Sequence, residues 1–171
     1  MWKSQFDRML RALSRVEQRN DDIVEELDAL YSFFQSCWHL KDWLKNDDTL
    51  AQTTRDVIVS EAEKAESLNY CADLANGSKH LKLDHARKGA TLWRFDGTQK
   101  DSDRSAMTIT RHSANADVLA EKHSSSGEAT TTTMHYVVAS TQGTPFGSPV
   151  GLARRAVQDW KDLLKRHGLQ I

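Results

Sequence analysis

Apolar positions recur every three or four residues over three early stretches, and each reads as an amphipathic helix. Trp2, Phe6, Met9, Leu13 and Val16 place the first over residues 4–18. Asp22 with Glu25 three residues later approximates a capping box and opens a second helix over 22–44. There Ile23, Leu27, Leu30, Phe34, Cys37, Trp38 and Leu44 form a wide stripe, broadened by Tyr31, Phe33 and Trp43. So broad an apolar surface predicts a central helix touched on more than one side. After Asn46-Asp47-Asp48, with Thr53 or Thr54 as the cap, a long third helix is expected over 55–83. Ile58, Ala62, Ala65, Leu68, Ala72 and Ala75 share its buried face. Asn76-Gly77 is also a plausible helix stop, and an extended run from residue 78 is the alternative.

From Gly89 the period shortens towards two. Residues 91–95 read as a strand followed by an Asp96-Gly97 turn, with further candidates at 106–111 and 117–122. Residues 130–140, a run of threonines followed by Met134-His135-Tyr136-Val137-Val138, give the clearest strand. Together they predict a small antiparallel sheet or β-meander over 90–140. Ser148-Pro149 is a capped start for a last helix over 149–167, and Gly168 ends it. The expected fold class is α+β: an antiparallel bundle of three N-terminal helices plus the C-terminal helix, with the meander inserted, all in one domain over 1–171.

Composition narrows the function. A chain of 171 residues suits one domain with a real core. The formal net charge of -1 and pI near 6.7 argue against a protein that coats nucleic acid through bulk basic charge. Cys37 and Cys71 both sit in apolar helical patterns, as small core residues do, and point to a reducing cytoplasm. No stretch approaches the roughly 18 apolar residues of a membrane span. No phosphate-binding glycine loop, nucleophile elbow or HExxH pattern occurs. No cofactor and no metal are expected: Cys37 and His39, two apart, point to different faces of a helix and make a poor start to a Cys37/His39/Cys71/His80 zinc site.

Two polar clusters remain. On a continuous third helix Asp73, Asn76 and His80 fall at i, i+3 and i+7 and share a face, with Lys79 beside them. Late in the second helix His39, Asp42 and Trp43 do the same, where His39 hydrogen-bonded to Asp42 is the packing reading and a binding site the functional one. Asn76 and His80 as a mutually satisfied buried pair is the bland reading of the first cluster. In a plain antiparallel hairpin the two clusters lie at opposite ends. The basic residues of the last helix read as a solvated face.

Asn76-Gly77-Ser78-Lys79-His80 resembles the signature of the HEPN superfamily of small helical bundles: an arginine, a polar residue, three further residues and a histidine, late in a long helix. Asn76 matches the polar position and His80 the histidine, whereas Ala75 stands in place of the arginine. The segments Cys37-Trp38-His39-Leu40-Lys41-Asp42-Trp43 and Asp73 to His80 also resemble those of a group of uncharacterised bacterial proteins. The HEPN resemblance implies metal-independent RNA cleavage at a homodimer interface, with the histidine moving a proton at the 2′-hydroxyl or leaving oxygen. Loss of the arginine removes the bidentate phosphate clamp, and Lys79 or Lys41 supplies charge without the fork. His80, Asn76 and Lys79 are therefore the candidate catalytic residues, and His39, Asp42 and Asp73 the candidate binding residues. The rival reading is a non-enzymatic protein-interaction module that uses the meander surface.

Overall fold

The computed structural model describes residues 1–18, 23–77, 90–99, 108–113, 131–140 and 145–171. Five helices carry the described core: α1 (Trp2–Glu17), α2 (Ile23–Lys45), α3 (Gln52–Ala62), α4 (Glu66–Gly77) and α5 (Pro149–Arg166). Helix α2 is central, as its wide apolar surface predicts. Phe33, Phe34, Cys37, Leu40 and Leu44 are all fully buried. Against it pack Trp2, Phe6 and Met9 of α1, Leu68, Cys71 and Ala72 of α4, and Leu152, Ala156, Trp160 and Leu164 of α5. Two buried polar bonds fix the neighbours in place. Gln5 Nε2 donates to the Ser36 carbonyl at 2.9 Å, and the Trp160 indole N–H donates to the Cys37 carbonyl at 3.1 Å.

The N-terminal end of α1 is held from a distance. Asp47, fully buried just beyond α2, accepts the Trp2 N–H at 2.8 Å and lies 2.8 Å from the terminal ammonium. It also accepts from the Thr49 hydroxyl at 2.6 Å and the Thr49 N–H at 3.1 Å. The ammonium first, then the Thr49 hydroxyl and the Trp2 N–H, hold its carboxyl well below the usual carboxylate range, although burial alone would raise it. A carboxylate here also compensates the positive end of the helix dipole.

The expected fold class is overturned in two respects. First, the long third helix is two helices, so four precede the C-terminal one. The chain breaks at Glu63–Lys64–Ala65, a run of good helix formers. The break is stabilised by polar partners: Asn69 Nδ2, in the first turn of α4, donates at 3.0 Å to the carbonyls of both Glu63 and Ala65, and Lys41 Nζ of α2 lies 3.0 Å from Glu63 Oε1. Nor does a threonine cap α3, whose N-cap is Ala51. Second, the inserted β-meander is not supported. The described core is helical apart from Val138. The extended segments between α4 and α5 are β1 (Ala90–Gln99), β2 (Thr108–Ser113), β3 (Thr131–Ser140) and β4 (Pro145–Gly147), paired in the order β2-β1-β3-β4. A meander follows chain order with its first strand at an edge. Here β1 lies between β2 and β3, and Asp96 and Gly97 pair on both sides instead of turning. Among the described residues the core is thus a bundle of five helices. Threonine-rich runs report local fit to an extended backbone, not the sheet order or the class of the core. The expected strand at 117–122 and any continuation of α4 over 78–83 lie outside the described residues.

Helix α5 starts and stops as its sequence dictates. The Ser148 hydroxyl accepts the Gly151 N–H at 3.1 Å, with Pro149 at the first helical position. Gly168 at φ +73° closes the helix while the Leu169 N–H reaches back to the Leu164 carbonyl at 2.9 Å. No helix among the described residues is long and apolar enough to cross a membrane.

Candidate functional site

Helices α2 and α4 run antiparallel. Cys71 of α4 lies beside Cys37 of α2, while Lys41, further along α2, meets Glu63 just before α4 begins. At 1.5 Å per residue, His39 lies on one side of the Cys37–Cys71 level and Asn76 on the other, about 10 Å apart along the helix axes. Among the described residues, His39 and Asn76 are therefore not brought together. His39 is half-buried, and Asp42 is exposed, with its carbonyl accepting from the Asn46 side chain at 2.7 Å.

The α4 cluster divides by face. Asp73 is buried, 1% exposed, whereas Asn76 is exposed on the last turn. The i, i+3 spacing suggested a shared face. The two separate all the same: Asp73 faces the core and Asn76 faces solvent. Ala75, at the position of the expected arginine, is 1% exposed and packs in the core. A guanidinium could not take its place without displacing that packing. Lys79 and His80 lie outside the described residues.

Cys37 and Cys71 are fully buried, and burial, followed by the Cys37 contact, pushes the Cys71 thiol well up. It stays protonated and packs as a core residue instead of acting as a nucleophile. Among the described residues no group of three side chains has metal-ligand geometry. The Ser67 hydroxyl hydrogen-bonds to the Asp159 carboxylate and ties α4 to α5. Lys41 also lies 4.3 Å above the Trp38 ring, so its charge is already engaged twice and is not free to replace the missing arginine.

One feature escaped the sequence reading. Arg8, Arg11 and Arg15 are all exposed along one side of α1, and none makes a hydrogen bond or ion pair with the described residues. Their i, i+3, i+7 spacing was visible in the sequence; their lack of partners was not. Arg15 reaches an open cleft of about 570 Å³ between the end of α1 and the start of α2, whose other wall carries Glu25, Glu26 and Asp28.

Compared with family models, curated proteins and solved structures, the chain finds no match in any of the three. Its function is argued from its own residues.

Proposed function

We propose that this chain is an HEPN-like domain of RNA-directed or defence-type function, acting as a cytoplasmic homodimer with an altered motif that leaves metal-independent RNA cleavage weak or lost. The observation that supports this most is the exposure of Asn76 on the last turn of α4. The polar residue of the motif is open to a ligand instead of sealed in the core. In this reading Asn76 donates its amide to a phosphate oxygen, and His80 moves the proton at the 2′-hydroxyl or the leaving oxygen. Lys79 supplies a point charge where a forked guanidinium is missing. The buried Ala75 supports the altered motif, because the arginine position has become part of the core. A second copy of the chain would complete the site.

Incubation of single-stranded RNA with the purified chain in EDTA tests this reading. Weak cleavage that survives EDTA and disappears in His80→Ala is expected, with Asn76→Ala reduced. Cleavage undiminished in His80→Ala removes the catalytic assignment. A wild-type chain that neither cleaves nor binds RNA overturns the reading altogether.

A further inference from the structure

The three arginines of α1 differ from the bundle's paired arginines. Arg55 lies 2.9 Å from Asp48, Arg154 2.8 Å from Glu17 and Arg166 2.7 Å from Glu61. Arg8, Arg11 and Arg15 have no such partner among the described residues. Glu17, the acid nearest the row's end on the same helix, is committed to Arg154. On a straight helix the row spans about 10 Å from Arg8 to Arg15. Exposed Ser4 and Gln18 extend it with hydrogen-bonding groups.

We propose that the Arg8–Arg11–Arg15 row is a docking face for the phosphodiester backbone of a nucleic-acid strand. Guanidinium groups bind phosphate oxygens through paired N–H donors, and a regular row suits a linear polymer whose charge repeats, more than a single small anion. A membrane surface fits less well. The apolar side of α1, with Trp2, Phe6, Met9 and Ala12, is already buried in the core, so nothing is left to insert among lipids. The carboxylates across the cleft from Arg15 repel phosphate and bound the face at that end. In a chain of net charge -1, the row gives α1 three arginines with no ion-pair partner among the described residues. The proposal rests on the RNA-directed reading only for the kind of polymer, and it concerns binding, not cleavage.

The test is fluorescence anisotropy of labelled oligouridine and oligodeoxythymidine at low salt, with phosphatidylserine vesicles as a third arm. Arg8→Glu/Arg11→Glu should weaken strand binding at least tenfold without lowering the melting temperature. The slope of log K against log salt should flatten by about 1.4, two contacts at roughly 0.7 each for a single strand. Lys161→Glu/Lys165→Glu on α5 changes net charge equally and should lose much less. Equal losses in the two variants, unchanged affinity in the first, or capture by vesicles without strand binding would each overturn the proposal. Preference for the ribose strand supports it with RNA as the polymer, and equal binding of both strands supports it through the backbone alone. Cleavage lost in His80→Ala while Arg8→Glu/Arg11→Glu binds normally would keep the catalytic reading and remove this face.

Discussion

Helices α1 and α5 are both amphipathic, both bury one side in the same core, and each carries three arginines. On α5, Arg154 and Arg166 reach carboxylates of α1 and α3, and Arg155 lies beside Gly147 and acts on Tyr70. On α1, Arg8, Arg11 and Arg15 reach nothing in the described structure. The difference separates charge that joins helices from charge left over after the bundle has formed. Paired charge changes stability when it is removed. Spare charge changes what the molecule attracts.

The largest expected effect belongs to the structural side. Asp47→Ala leaves the start of α1 and its ammonium without their buried acceptor, and should cost about 3 kcal/mol in chemical denaturation. The pH dependence has a definite sign. The folded carboxyl is depressed, so its contribution is complete above the unfolded value near ~3.9 and is lost as pH falls towards the folded value. Wild type should lose stability on acidification below about pH 4, and Asp47→Ala should show a smaller acid-dependent loss. An equal loss in both would mean that other carboxylates control acid unfolding.

Next comes the spare charge. The tenfold loss of strand affinity in Arg8→Glu/Arg11→Glu, about 1.4 kcal/mol, should occur with no loss of stability. Arg166→Ala should cost only about 0.5 kcal/mol, because its pair with Glu61 is at the surface, and salt should shrink that cost. Smallest of all, Arg11→Ala should leave stability unchanged from wild type, with no loss for salt to shrink. An Arg11→Ala loss that matched Arg166→Ala would erase the distinction between the two helices.

Much of the bundle was legible from apolar period alone. Most of the apolar positions of α1, α2 and α5 bury in the structure, although Trp43, assigned to the α2 stripe, is exposed, and Ser148-Pro149 and Gly168 bound α5 through local chemistry. What failed depended on polar contacts that the apolar period does not register. No glycine or proline marks the break at 63–65, which Asn69, a few residues on, and Lys41 of α2 stabilise. Strand order cannot be read from threonine content. At the candidate site, the missing arginine was plain from Ala75, yet its burial was not, and Asp73 and Asn76 divided where spacing had joined them. The arginine row was likewise countable in the sequence. Its freedom follows only from knowing that Glu17 pairs with Arg154, 137 residues away, and that Glu61 pairs with Arg166, 105 residues away.

Arginine side-chain Nε–H resonances of the labelled protein, followed while oligouridine is added, bear most directly on the division between spare and committed charge. Shifts at Arg8, Arg11 and Arg15, with Arg55, Arg154 and Arg166 unmoved, are the predicted result. Shifts confined to the paired arginines, or none anywhere at saturating strand, would contradict it.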